Sequence, residues 1–453
     1  MTSSPTTTEG LPLCSTRKDF RSACFGAASF GDAGKPYCLF HFPSNEKSQP
    51  FRVALEERLE KKNYDFRGVW FPDEVSFAGR SFETNAVFIK AVFDAKADFT
   101  RANFGARANF SNARFKMQAD FYSANFRART NFDDAHFRGN ANFAAATFGA
   151  TSNFHSANFW AKASFYSAAF HDRTTFGSAG FRGEVNFRLT NFKSYVRFAR
   201  SKTREVFLDG SWLDLREVKL DKPELVSFHT LSLCPNWFVE VNASKFDFIN
   251  VEWRPTTVRK EVSALRKFKS IESPYRLLAI ACWYLAVNAE ENHRYEEGSR
   301  FRYMAMNARR QSWREGKAHF TRLFRSLKGN QKEREKWLTG FRQFWKSFCK
   351  DLSPLHWLYW AVSGYGEKIL RALVMLLGIL VVFAGLYAAK SPDQVGPELR
   401  ILRALSYSAS VMTLQKPEPS PSIVVRGLVT LETMMGPVQA ALLALAIRRK
   451  FMR

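Results

Sequence analysis

From Ala102 to Phe126 the chain reads ANFGARANFSNARFKMQADFYSANF, with phenylalanine at Phe104, Phe110, Phe115, Phe121 and Phe126. The intervals are 6, 5, 6 and 5 residues. Neither the helical period of about 3.6 nor the strand period of about 2 produces that spacing. The true period is 11. Two interleaved series, Phe66 to Phe198 and Phe71 to Phe192, run at that period without a missing rung. They hold 13 and 12 of the 45 Phe in the chain. Most rungs are preceded, two residues earlier, by Ala, as in ANF, ADF and ASF.

A short strict period predicts a solenoid, in which like side chains stack over one another in successive coils. Sides of 5, 6, 5 and 6 residues make a coil of 22. Phe66 to Phe198 then spans six coil steps, a rod of about 30 Å at roughly 4.8 Å per strand-like step. The large residue fills the axis and the small one fits the corner. The pattern resembles the Phe-rich form of the pentapeptide-repeat family over about residues 66–200. That resemblance implies a right-handed quadrilateral β-helix. A looser stretch, Val226–Trp253, reads as terminal coils.

Some pentapeptide-repeat proteins mimic DNA, which needs a negative rod. Here Phe77–Phe198 carries 16 Lys/Arg against 8 Asp/Glu, a net charge of +8. The sign is wrong for DNA mimicry, which is not the expected role. The outward Ser, Ala, Asn, Thr and Arg lack aromatics for stacking bases, so nucleic acid is not the expected partner. The whole chain, 453 residues with net charge +25, suits an anionic membrane face.

Ahead of the rod, CSTRKDFRSACFGAASFGDAGKPYCLFHFP offers Cys14, Cys24, Cys38 and His41. Three thiolates and one imidazole would close a structural tetrahedral zinc site, and Cys38/His41 has tight chelating spacing. The segment also resembles Cys-rich heads found before Phe-rich pentapeptide rods. Phe51–Lys62 reads as a connecting helix. The N-terminal MTSSPTTTEG has no apolar core, so no cleavable signal is expected.

From about Pro255 to Lys350 the Phe period is gone. Leu277–Val287 is too short to cross a bilayer and starts a helical hairpin expected to pack on the rod, with Tyr295, Phe301 and Met304 facing the core. KWLTGFRQFWKSFCK places Trp337, Phe341, Phe344, Trp345 and Phe348 on one face, as a membrane-surface helix would.

Two spans follow. Arg371 and Lys390 bracket 18 uncharged residues, and Arg426 and Arg448 bracket 21 residues with one charge, Glu432. The basic middle and the terminal RRKFMR put both ends in the cytoplasm. The loop holds an apolar run, Ala404–Leu414, suited to a re-entrant helix. Span, re-entrant helix, turn and span resemble the two-helix module of potassium-type channels. Gln415, Lys416, Pro417 and Glu418 then occupy the filter position, without the glycine that a carbonyl-lined potassium filter needs. The Gly-Tyr-Gly of SGYGEK precedes the first span and reads as a turn. An intramembrane carboxylate such as Glu432 usually faces a bundle interior or water. Gly436 and Pro437 form a candidate hinge in the same helix.

The expected architecture is a multidomain membrane protein: a zinc-knot head (1–45), a connecting helix (46–65), a quadrilateral β-helix (66–254), a basic helical linker domain (255–350) and a two-span module with a re-entrant helix (351–453). No Walker loop, HExxH or GxSxG appears, so no enzyme is expected. The expected function is an oligomeric, tetrameric channel or pore in the cytoplasmic membrane, its β-helix docking a protein partner. The alternative is a non-conducting membrane-tethered scaffold.

Overall fold

The computed structural model describes residues 30–32, 35–200, 206–208, 210–268, 271–326, 359, 361–364, 369–390, 397–415 and 423–451. The chain divides into two compact units, 1–288 and 289–453.

The first unit is a parallel β-solenoid. Its short strands, most of them two residues long, assemble into four ladders, one of eight strands, two of seven and one of six. Neighbouring strands are offset by 22 residues, so Phe104 lies opposite Phe126, and Phe126 opposite Phe148. Every Phe of both series points inward and is at most 3 % exposed. Rings stack coil over coil at spacings such as 4.7 Å for Phe88–Phe110 and 4.8 Å for Phe115–Phe137. Within a coil they meet edge to face, as Phe110 does Phe121 at 5.5 Å. Both geometries suit the aromatic quadrupole. The small column is also buried: Ala97, Ala119, Ala141 and Ala163 are essentially unexposed.

The alternation of five and six has a backbone cause. From Phe66 to Phe187 the second residue after each Phe of the first series has a left-handed φ, such as +56° at Lys90, +55° at Arg101 and +57° at Asn112. There the Phe carbonyl accepts from the N–H three residues on, as in Phe88–Ala91 at 3.1 Å. This tight turn makes the five-residue side. The other corners bend without a positive φ and take six.

After Phe198 the period loosens. Phe198 pairs with Phe228, 30 residues on, and Phe228 with Phe248, 20 on. The strands continue to Glu252–Trp253, as the reading of Val226–Trp253 as terminal coils expected. Helix α1 (Ser48–Glu60) covers the opposite end: Phe51 meets Phe71 edge on at 5.6 Å, and the Trp70 N–H donates to the Phe40 carbonyl at 2.9 Å. Beyond the last coil come α2 (Val258–Leu265) and α3 (Pro274–Glu291). The Glu261 carboxylate of α2 accepts from the Asn236 N–H at 2.9 Å, and Asn288 of α3 donates to the Phe246 carbonyl at 2.7 Å.

The second unit holds α4 (Tyr295–Ser326), α5 (Ile369–Lys390), α6 (Pro397–Met412) and α7 (Ile423–Phe451). Phe301 and Met304 are buried as expected. Tyr295 is not: it is half-buried, its hydroxyl 3.0 Å from His293 Nδ1, because a phenol at the first turn of a helix can keep a polar partner near water. Helices α5 and α7 are long and apolar enough to cross a membrane, with only 17 % of the most apolar window buried in each. The surface-helix residues Trp337, Phe341, Phe344, Trp345 and Phe348 lie outside the described residues.

Candidate functional site

Helices α5 and α7 are inside-out compared with those of a water-soluble protein. Along α7 the buried stripe is Val425, Glu432, Gly436, Gln439 and Ala446, while Leu431, Met434 and Val438 are at least half exposed. Along α5, Leu370, Val374, Leu377, Val381 and Val382 face outward, and Ala372, Ala384 and Tyr387 face inward. The shorter α6 packs against both, burying Ser408 completely.

Glu432 sits where the three helices meet and has no exposed surface. The Tyr387 hydroxyl of α5 donates to Oε2 at 2.6 Å. The Ser408 hydroxyl of α6 bonds Oε1 and also lies 3.2 Å from the Leu380 carbonyl of α5. One carboxylate thus ties both neighbouring helices to α7 within a single chain. Two turns on, Gln439 Nε2 donates to the Ala372 carbonyl at 2.7 Å, while its Oε1 is buried without a partner among the described residues. Sequence reading passed over Gln439, Tyr387 and Ser408. Gln439 had a signal, being the other strongly polar side chain in an apolar segment that already holds Glu432. Tyr387 and Ser408 had none, since the register of α5 and α6 against α7 is not written in either helix alone.

A Cβ at Gly436 would lie 3.0 Å from Met412 Cγ and 3.2 Å from Met412 Cα. Gly436 is therefore where α6 ends against α7. Pro437 follows it within the helix, denying the Thr433 carbonyl its helical donor. Gln415 stands exposed just past α6, after Leu414 with φ +60°, and its N–H closes the helix on the Ser410 carbonyl at 2.9 Å. Lys416, Pro417 and Glu418 lie outside the described residues. Gly364 of the SGYG stretch has φ +57° at the end of a short helical turn.

In the head, Cys38 and His41 are both nearly unexposed, with Sγ 3.0 Å from Nδ1. His41 Nε2 lies 3.0 Å from the Arg67 carbonyl, which fixes the proton on Nε2 and turns the Nδ1 lone pair toward sulfur. Orientation of a ring by its second nitrogen in this way is the usual support of a ligating histidine. Lys47, also fully buried, donates to the Phe40 carbonyl at 3.0 Å and lies 4.7 Å from the Phe51 ring centre. Burial pulls its ammonium down to about 7, with Cys38 pulling the other way. Arg58 stacks over Phe40 and Phe66 and is likewise lowered by burial. As it stands the pair is a buried thiol–imidazole hydrogen bond. Among the described residues no group of three or more metal-ligating side chains assembles. Cys14 and Cys24 lie outside them.

On the solenoid, one corner exposes Arg107, Arg127, Arg129, Arg173 and Lys193, spaced by Gly105, Ala106, Ala128, Gly149 and Ala150. Among the described residues none of these five cations makes an ion pair. By contrast Lys116, Lys162 and Arg188 on other faces are paired with Asp94, Glu184 and Glu217.

The chain is thus a Phe-cored parallel β-solenoid followed by a helical unit containing two helices fit to span a membrane. No family model and no curated protein matches the chain. Among solved structures it is similar to a trypsin-treated, singly substituted form of QnrB1, described as a plasmid-mediated fluoroquinolone resistance protein, at 12 % identity over 43 % of this chain and 92 % of that one, with a TM-score of 0.12. The solenoid assignment rests on the stacked ladders themselves.

Proposed function

We propose that the chain is an integral membrane protein whose C-terminal unit is one subunit of an oligomeric ion pore, with the β-solenoid as its docking domain. The observation that carries this reading is the inverted polarity of α5 and α7 with the short α6 held between them. Apolar faces that are at least half exposed call for a hydrocarbon surround. A helix of about 24 Å, as the residue count and rise of α6 give, falls short of a crossing. Two long helices and a short one cannot enclose a lumen alone, so the reading requires several copies, and four is the number the two-helix arrangement suggests. Positive residues around α7's end favour a cytoplasmic C-terminus. The Arg-rich corner gives the solenoid charge complementarity to an acidic protein surface.

The second reading is a non-conducting membrane-tethered scaffold. It is favoured by Glu432, whose two oxygens are both taken up inside one chain, leaving neither free to line a lumen. Planar-bilayer recording of reconstituted full-length protein separates the two. Discrete conductance together with an oligomeric detergent complex supports the pore. A silent monomer leaves the scaffold.

A further inference from the structure

We infer that one side of the solenoid is a self-complementary surface that pairs with the same side of a second copy of this chain, the two rods running antiparallel. The side is the seven-stranded ladder that begins at Val75–Ser76 and continues through Ala119–Asp120 and Ala141–Asn142. Among the described residues between Phe66 and Phe198, four large apolar or aromatic side chains are more than a third exposed: Met117, Tyr122, Trp160 and Tyr166. All four stand at the two edges of this side. Counting from the coil of Val75, Met117 and Tyr122 flank the third coil, and Trp160 and Tyr166 the fifth. The fourth coil has Gly139 and Ala144 at the same edges. Ring spacings of 4.8 Å for Phe121–Phe143 and 5.1 Å for Phe143–Phe165 set the two ridges about 10 Å apart along the axis, with a hollow between them.

Charge is graded along the same side. Its first three coils (72–78, 94–100 and 116–122) hold five acids and two bases, and its last three (138–144, 160–166 and 182–188) four bases and one acid. Arg52 pairs with Asp73 at one end and Glu217 with Arg188 at the other, which changes the sign of neither end. The side sums to zero, so the positive excess of the rod lies on its other sides, which would repel a copy. A two-fold axis standing on this side between the third and fourth coils reverses both coil order and edge. Acidic coils then face basic ones. Each ridge also meets a hollow. Met117 faces Ala144 of the second copy, and Tyr122 faces its Gly139. Trp160 faces its Thr100, and Tyr166 its Ala95. Asp120 accepts from the Asn142 amide at 2.9 Å and, like Arg138, makes no ion pair among the described residues; the axis brings these two together across the contact. Such a contact is isologous and closed, so it stops at two rods. The pairing does not depend on whether the helical unit conducts.

Ser76 and Asn186 lie in the first and sixth coils and face each other across this axis. Within one chain they are five coils apart, about 24 Å, too far for a disulfide. Full-length protein carrying both Ser76→Cys and Asn186→Cys should therefore oxidise to a covalent dimer, at a yield well above either single variant and above the background of the native cysteines. Adding Ala144→Arg should abolish that dimer by filling a hollow. The fold accepts the change, since Tyr122, Tyr166 and Arg188 hold the same position in other coils. No dimer in the double variant overturns the pairing. Cross-linking by Ser76→Cys alone means parallel rods, and cross-linking that survives Ala144→Arg means another surface; either result overturns it too. A silent planar bilayer would leave the cross-link in place, so the pore reading and the pairing fail separately.

Discussion

A single ring shows why this fold tolerates no gap in its ladder. Phe132 is stacked on Phe110 at 4.8 Å and Phe154 at 5.0 Å, and meets Phe121 and Phe143 edge on at 5.5 and 5.3 Å. Phe132→Ala is expected to cost about 3–5 kcal/mol in the solenoid's unfolding, read by denaturant titration, because rigid coils above and below cannot collapse into the hole. His229 carries a pH effect. Burial and then Arg197 lower its pKa below 6.5, with Asp247 opposing. The folded state therefore binds fewer protons than the unfolded one as pH falls below 6.5, and stability declines there. His229→Gln should flatten the melting temperature against pH between about 6.5 and 5. At this scale the sequence was highly legible. Each rung was readable because one side chain type recurs in one phase. Tyr387 was unreadable because its only meaning is the carboxylate it meets on another helix.

At the scale of elements, strict periodicity hid two kinds of corner. Gly68 and Gly79 suit the left-handed corner, with φ +66° each, but Lys90, Arg101 and Ala145 occupy the same place. The Phe spacing announced the alternation of five and six. It did not announce which side was the tight turn, since stacking holds even Ala145 at φ +56°. Ala145→Gly relieves a left-handed Cβ, worth about 1–2 kcal/mol, against a somewhat smaller entropic loss in the unfolded chain. It should leave stability unchanged or raise it slightly. Gly139→Ala should do the opposite. The new Cβ would sit 2.5 Å from the Met117 carbonyl carbon, a main-chain atom that cannot swing away. A loss of about 1–3 kcal/mol is expected, and thermal melts of the pair side by side check both signs. In the helical unit, Ser408→Ala removes a donor from a fully buried carboxylate. Its cost of about 1–3 kcal/mol should be strongly non-additive with Tyr387→Phe in a double-mutant cycle, since both hydroxyls serve Glu432.

At the scale of the whole molecule, the same residue counts decide very different things. An 11-residue period constrains every coil because each repeat has the same neighbours. The helical unit has no such redundancy. The sequence marked its two long helices through the distance between charges, but the pairing of α6 with α5 and α7 depends on contacts far apart in the chain. If α5 and α7 cross a bilayer with the solenoid in the cytoplasm, protease added to inverted membrane vesicles should digest the solenoid region, and protease added to right-side-out vesicles should spare it. The reverse pattern would place the solenoid outside.

Helix α1 lies across the first coil, with Phe51 against Phe71 and the Phe40 carbonyl occupying the Trp70 N–H. A chain nicked between Lys62 and Asn63 and stripped of that lid would present a raw row of amides and carbonyls. A second nicked molecule, turned end for end, offers the same bared edge to pair with it. Since α2 and α3 still close the far end, the lid is a safeguard against end-to-end pairing, and limited proteolysis of the head would yield dimers.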